Sequence, residues 1–205
     1  MEVSTRRTAR FGPLRIDYSD DVLAPREWTL RQSEWAAALA ATAPAGPILE
    51  LCAGAGHIGL AAAVLGDRDL VQVEADPVAA SFAALSAARA GRDGRTEIRV
   101  ERLQSAIRPD ERFPIVIADP PYLPSADVSR WPQDPVTAID GGPDGLALIR
   151  DCLTVASNCL VHGGHLLLQV RGSEQADQLD LPAGLRRREL RAVDAERAIV
   201  RLVRP

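Results

Sequence analysis

Ile48-Leu49-Glu50-Leu51-Cys52-Ala53-Gly54-Ala55-Gly56-His57-Ile58-Gly59 is the stretch on which the fold turns. Its apolar opening, Ile48 to Cys52, reads as a short buried strand. The glycines that follow let the backbone reverse tightly and approach a ligand closely. From Gly56 to Leu65 the chain is rich in alanine and reads as a short helix. Strand, glycine turn and helix thus follow one another without a gap.

The alternation continues downstream. Leu70–Glu74 reads as a second strand, and Pro77–Ala90 as a helix with proline near its first turn, where the missing N–H costs nothing. Gly91-Arg92-Asp93-Gly94 is a turn, Glu97–Glu101 a third strand and Ile115–Ala118 a fourth. Leu146–Leu160 is helical, Gly163-Gly164 leads into the strand His165–Val170, and Gly184–Arg191 with Arg197–Val203 form a closing pair. Seven strands interleaved with helices predict an α/β fold, a mostly parallel sheet with helices on both faces. Upstream, Phe11–Tyr18 alternates like a short hairpin strand. Glu27 to about Ala43 has a helical pattern with Trp28, Leu30, Trp35, Ala38 and Leu39 inward, ended by Pro44, Gly46 and Pro47. No repeat, linker or low-complexity segment interrupts residues 1–205, so one domain is expected, residues 1–46 forming a hairpin and helix and 47–205 the α/β core.

Composition excludes some chemistry. The 24 basic residues are all arginine, which removes Schiff-base catalysis and a phosphate-loop lysine. A net charge of -4 argues against a large nucleic-acid footprint, though not against a local one. Cys52, Cys152 and Cys159 form no CxxC pair and read as reduced and mostly buried, which suits the cytoplasm. No stretch is long and apolar enough to span a membrane, and Arg6, Arg7 and Arg10 precede no signal-peptide core. His57, His162 and His165 lack metal-ligand spacing, so no metal is expected.

Gly54 to Gly59 matches G-x-G-x-x-G, and Glu74 lies about 20 residues beyond, placed to accept hydrogen bonds from ribose hydroxyls. Alone, this suits NAD as readily as S-adenosylmethionine. Glu50, at the first strand's end, favours the latter: its carboxylate attracts an ammonium and a sulfonium but repels a pyrophosphate. No hydride-transfer partner stands out. The second motif, Asp119-Pro120-Pro121-Tyr122, directly follows the fourth strand. Two prolines end the ladder and fix a stiff turn. Such a turn offers two fixed acceptors, the Asp119 carboxylate and the Pro120 carbonyl, which suit the two hydrogens of a planar –NH2 group. Tyr122 can pack against that group's face. Both motifs fall at carboxyl ends of strands, where ligands collect in open α/β sheets. A methyl transfer to nitrogen follows, with Asp119, Pro120 and Tyr122 as catalytic candidates.

With these motifs in place, the chain resembles the HemK family, the glutamine N5-methyltransferases of peptide-chain release factors. Val22-Leu23-Ala24-Pro25-Arg26-Glu27-Trp28-Thr29 resembles the family's entry segment, and Glu50 to Leu60 its cofactor motif. Asp119 to Tyr122 falls on Asn-Pro-Pro-Tyr. Asp134-Pro135 and Ala138 to Leu146 resemble the E-P and A-L-x-G-G-x-D-G-L signature, and Gly164 to Gln169 the strand after it. The resemblance implies a Rossmann-like class I methyltransferase that uses S-adenosylmethionine. Cofactor contacts are implied for Glu50, Cys52, Ala53, Gly54 and Gly56 from the loop, for Glu74 and Ala75, and for Asp119. Arg26, Thr29, Pro121 and Tyr122 are implied to meet the acceptor. Four features depart from the family. Asp119 replaces asparagine, and its charge suits an amine that gains positive charge. Cys52 replaces the motif's first glycine, a change that an ordinary φ tolerates. Ala106 replaces the aspartate that accepts the adenine amino group, leaving Gln104 or Ser105 to substitute. The helical N-terminal domain of the bacterial release-factor enzymes has no room in this chain. A protein acceptor, a glutamine side chain, is the leading expectation. A base amino group of rRNA or DNA and an inactive cofactor-binding interaction module are the alternatives.

Other residues carry open readings. Asp140 and Asp144 are expected to cap the helix beginning near Gly145. Trp131 reads equally as an acceptor platform or a loop closure. Arg186, Arg187, Arg188 and Arg191 read as a solvated strand face, with phosphate contact as the alternative. The long loop from Pro120 to Gly142, with four further prolines, is expected to be functional.

Overall fold

The computed structural model describes residues 5–205; residues 1–4 of the expected N-terminal unit lie outside the described residues. The chain opens with a hairpin, β1 (Arg7–Phe11) and β2 (Leu14–Tyr18), and a single 3-10 turn leads into α1 (Leu30–Ala40). Then come β3 (Ile48–Leu51), α2 (His57–Leu65), β4 (Leu70–Glu74), α3 (Pro77–Arg89), β5 (Thr96–Val100) and β6 (Phe113–Ala118). After the long loop, which holds the four-residue α4 (Val136–Ile139), follow α5 (Ala147–Cys159), β7 (Leu160–Val170), α6 (Gly172–Asp177), β8 (Arg186–Ala192) and β9 (Ala198–Val203).

The seven-stranded sheet has the order β5-β4-β3-β6-β7-β9-β8. Neighbouring strands from β5 through β7 pair in parallel, and β9 runs antiparallel to both β7 and β8. The strand order reverses between β3 and β6, and the crevice outside their carboxyl ends is where such sheets bind ligands. Strand residues alternate between two cores. Leu49, Leu51, Val116, Ala118, Leu166 and Leu168 pack with Ile149, Cys152, Leu153 and Ala156 of α5. Ile48, Ile115, Ile117 and Leu167 pack with Trp35 and Ala36 of α1, Ile58 and Leu60 of α2, and Ala79 and Ala87 of α3. Helices therefore cover both faces, as the near-continuous apolar strands require.

Three expectations need correction. On α1 the inward residues include Gln32 and Ser33, while Ala38 is exposed. The two polar side chains are buried because each donates to a carbonyl: Gln32 Nε2 to Ala118 O at 3.0 Å and Leu167 O at 2.9 Å, Ser33 Oγ to Ile58 O at 2.8 Å. Gly163-Gly164 is strand, not a lead-in, because Gly163 N–H donates to Arg204 O and Arg204 N–H to Gly164 O. The loop after β6 is also less irregular than its prolines suggest, holding a 3-10 segment, Ser125–Arg130, besides α4.

Candidate active site

The glycine loop is folded by its own backbone and tied from two sides. Gly56 N–H donates to Ala53 O at 2.8 Å, and Ala53 N–H to Val73 O at 3.1 Å, so the turn closes on the end of β4. Glu74, the last residue of β4, accepts Gly54 N–H at 2.7 Å and Asp76 N–H at 2.8 Å. Glu50 works from inside. It is buried, accepts Gly59 N–H at 2.8 Å, and takes Gln72 Nε2 at 2.5 Å. Burial pushes its carboxyl up to about 7, the Gln72 and Gly59 bonds opposing the rise. Gly59 is glycine because any Cβ there would collide with the Glu50 carboxylate. Glu50 therefore grips the start of α2 in the interior, away from the cleft. Cys52 does not have the ordinary φ its substitution called for. Its φ is +57°, a left-handed conformation that glycine adopts freely and a Cβ residue holds at a cost of about 1–2 kcal/mol.

The Asp119-Pro120-Pro121-Tyr122 turn lies at the end of β6, beside β3. Asp119 faces a cavity of about 600 Å³, shared with Pro120, Pro121, Tyr122 and His57, the first residue of α2. Protein encloses the Asp119 carboxyl closely enough that desolvation raises it to about 7. Burial likewise pushes the Tyr122 phenol up, with the nearby Asp119 charge adding to the rise. His57 moves the other way, down to about 4, because burial penalises the imidazolium. Its ring stands edge-on to Phe11 at 4.8 Å, and its buried Nδ1 has no partner among the described residues.

The turn is held by residues far along the chain. Gln32 clamps the Ala118 carbonyl just before Asp119. Gln175 of α6 donates to Tyr122 O at 2.9 Å and accepts Arg171 N–H at 2.7 Å. Residues 139–145 lie directly against the diproline corner: Leu123 N–H donates to Ile139 O, and Gly141 N–H to Leu123 O. A Cβ at Gly141 would sit 2.7 Å from Pro121 O, and one at Gly145 2.5 Å from Tyr122 O. The glycines of this segment exist because backbone lies on backbone.

Known proteins place this arrangement. The chain is 33% identical over 168 residues to the release factor glutamine methyltransferase of Mycolicibacterium smegmatis, covering 77% of this chain and 57% of that protein. It is 32% identical over 186 residues to the release factor glutamine methyltransferase of Geobacter sulfurreducens, covering 83% and 60%. Over most of its length the chain is similar in sequence to HemK-type glutamine methyltransferases. A ribosomal protein uL3 glutamine methyltransferase of Bordetella pertussis is 31% identical over 129 residues, 60% of this chain and 42% of that one. The chain thus spans 57% and 60% of the two release factor enzymes and 42% of the uL3 enzyme. No family model matches it. Among solved structures, the hMettl16 catalytic domain, in complex with MAT2A 3'UTR hairpin 1, superposes with a TM-score of 0.70 at 13% identity, over 93% of this chain and 74% of that one. TrmN from Thermus thermophilus gives 0.65 at 18% identity, over 86% and 49%. These likenesses establish the Rossmann-like methyltransferase fold.

The remaining positions carried over from the family are scattered. Arg26 lines the cavity and is ion-paired with Asp134 at 2.6 Å, so the family's entry segment is fastened to its E-P position. Thr29 also lines it, its hydroxyl donating to Arg26 O at 2.7 Å. Ala75 is exposed next to Glu74. Gln104 is exposed and turned to Asp151 at 2.8 Å, and the exposed Ser105 hydroxyl donates to Arg102 O. Ala106 is buried with its carbonyl taken by Arg99. The expected pair of helix caps splits. Asp144 accepts Leu146 N–H just ahead of α5, whereas Asp140 braces the loop, accepting the Ser125 hydroxyl and Gly142 N–H. Trp131 lines the cavity and stays exposed. Of the arginine cluster on β8, Arg187 pairs with Asp177, and Arg191 pairs with Glu189 and stacks over Trp35 at 3.8 Å. Gln32, Gln72, Gln175 and Arg171 escaped the sequence reading, and Trp28 was marked there only as an inward helical position and as part of the family entry segment, not as a cavity residue.

Proposed function

We propose that the chain is an S-adenosylmethionine-dependent N-methyltransferase that modifies a glutamine side chain of a protein. One observation carries the reading: the Asp119-Pro120 acceptors and the glycine loop lie at the carboxyl ends of adjacent strands, β6 and β3, and the acceptors line a cavity of about 600 Å³. The residues fit the cofactor. Gly54 has φ +54° and nothing within 4 Å of where a Cβ would stand, so the loop's apex faces open space. Glu74 supports that apex and keeps lone pairs for ribose hydroxyls. Gly54, Gly56, Ala53, Cys52, Glu74 and Ala75 would hold the cofactor, Glu50 acting through α2. Bound there, S-adenosylmethionine supplies an electrophilic methyl group.

The chain's own residues do the rest. Asp119 and the Pro120 carbonyl accept the two N–H bonds of the acceptor and fix its nitrogen. Tyr122 and Pro121 pack against its plane, and Arg26 and Thr29 shape the entrance. The modified nitrogen carries a surplus proton, which the Asp119 carboxylate takes. The names of the relatives support glutamine as acceptor and a protein as partner. The free cysteines fit a reducing compartment such as the cytoplasm, and residues 1–205 act as one domain. No helix among the described residues is long and apolar enough to cross a membrane.

A second reading, a base amino group in rRNA or DNA, is favoured by one observation: position 119 is a carboxylate where the family has an amide. Methyl-labelled cofactor incubated with the protein and cell fractions separates the two. Protease-sensitive label supports the first, nuclease-sensitive label the second, and no label in either fraction rejects both. Asp119→Ala should abolish transfer with cofactor affinity nearly unchanged; undiminished transfer would refute its role.

A further inference from the structure

Beneath the glycine loop lies a contact that the proposed chemistry does not use. Cys52 Sγ and Cys152 Sγ are 4.0 Å apart, and both cysteines are free. Cys52 is partly exposed in the loop; Cys152 is fully buried in the middle of α5, on the sheet face that the loop overlies. The two are 100 residues apart in sequence, so only the fold brings them together. Cys52 also occupies, with its left-handed φ of +57°, the place where the family motif carries glycine. A thiol here is strained where a hydrogen would not be, and it faces a second thiol.

We propose that Cys52 and Cys152 form an oxidisable pair whose disulfide reshapes the glycine loop, so that a peroxide controls cofactor binding. The inference rests on the reading of this loop as the cofactor's. The chemistry balances in two steps. The Cys52 sulfur attacks the peroxide O–O bond, giving a sulfenic acid and one water. The Cys152 sulfur then displaces the sulfenic hydroxyl, which leaves as a second water with the thiol's proton. Two electrons pass from the two sulfurs to the peroxide. The sulfurs must close from 4.0 Å to a bond of about 2.05 Å. Cys152 sits in a packed helix within the core, so the movement falls on the loop. Two residues on, Gly54 N–H is bonded to Glu74, and drawing Cys52 toward α5 pulls that amide off the carboxylate. The neighbouring Cys152 thiol and burial push the Cys52 pKa up, so thiolate is scarce at neutral pH and oxidation quickens as pH rises.

The test uses the full chain treated with hydrogen peroxide at pH 7 and pH 9. Free thiols are then alkylated and the peptides mapped by mass spectrometry. Calorimetry with S-adenosylhomocysteine runs before treatment, after it, and after dithiothreitol. The expected result is a Cys52–Cys152 linked peptide pair lighter by two hydrogens and formed faster at pH 9. Affinity for the ligand should fall at least tenfold and return with reductant. Cys152→Ala should keep its affinity within threefold through the same treatment. No linked pair, a pair involving Cys159 or a second molecule, or a linked pair with unchanged affinity each overturns the proposal. If the reduced protein binds no S-adenosylhomocysteine, the cofactor reading itself falls and the control with it. The peptide map, which needs no ligand, still separates that failure from absence of the disulfide.

Discussion

Two single residues concentrate the unusual physics of this molecule. Asp119 is a carboxyl that desolvation holds near 7. Its protonated form is favoured below about 7, and that form has given up the charge needed to take a proton from nitrogen. Transfer should therefore rise with pH and level off above about 7, provided chemistry limits the rate. Asp119→Asn keeps the acceptor oxygen and loses the titration, so its residual activity should be flat over the same range. Initial rates from pH 5.5 to 8.5 for both forms check this, and a parallel rise in the variant would exclude Asp119 as the titrating group. Cys52 is the second case. In a left-handed conformation glycine outranks alanine, the reverse of their usual order in regular structure. Cys52→Gly and Cys52→Ala both remove the sulfur, and only the latter keeps the strain. Cys52→Gly should be the more stable by about 1 kcal/mol in urea unfolding.

At the scale of elements, the diproline turn is made by its neighbours more than by its own residues. α1 reaches it through Gln32, which is buried and donates to carbonyls of both β6 and β7. Gln32→Leu preserves volume and removes both bonds, leaving two carbonyls short of a donor. It should cost about 2 kcal/mol and lower turnover by disordering Asp119. Thermal unfolding and kcat measured together distinguish this from a purely local change. The segment between α4 and α5 acts by contact. Gly145 has φ +73°, and a Cβ there would meet Tyr122 O at 2.5 Å, a backbone atom that cannot swing aside. Gly145→Ala should lower stability by about 2 kcal/mol or more and sharply reduce kcat/KM for the acceptor. The glycine loop is not touched, so S-adenosylhomocysteine affinity should stay within about threefold. An equal loss of ligand affinity would mean that the segment supports the whole cleft and not the turn alone. These ties also explain what the sequence left hidden. Gln32 and Gln175 sit in polar-looking patterns that helical periodicity assigns to solvent, and only the carbonyls opposite them, contributed by remote strands and loops, draw them inside. α6 is six residues long and starts at Gly172, too short and too polar for any periodic signal.

Across the whole molecule, the sheet was legible because buried parallel strands are runs of Ile, Val and Leu such as Ile115–Ala118, bounded by glycine or proline. Glycine spacing and Asp119-Pro120-Pro121-Tyr122 marked the two edges of the cleft for the same reason: unusual backbone needs unusual residues. Glu50 shows the limit. A carboxylate at a strand end reads as a ligand group, yet the alternation of the sheet turns it into the core toward α2 and Gln72, where Val71 and Val73 point the other way. That burial has a consequence for the stability of the whole fold. The folded Glu50 carboxyl titrates near 7, above its ordinary 4.5. Between those values the native state holds a proton that the unfolded chain has released. Its contribution is therefore fully present below about 4.5 and is lost as pH rises through 7. Glu50→Gln carries no such proton, and its carbonyl can still accept Gly59 N–H. Relative to the parent protein, the variant should gain in melting temperature steadily from pH 4.5 to 7, with no further gain above. Melting curves of both proteins across pH 4.5 to 8.5 decide the matter, because a constant difference would mean that Glu50 is ionised in the fold throughout.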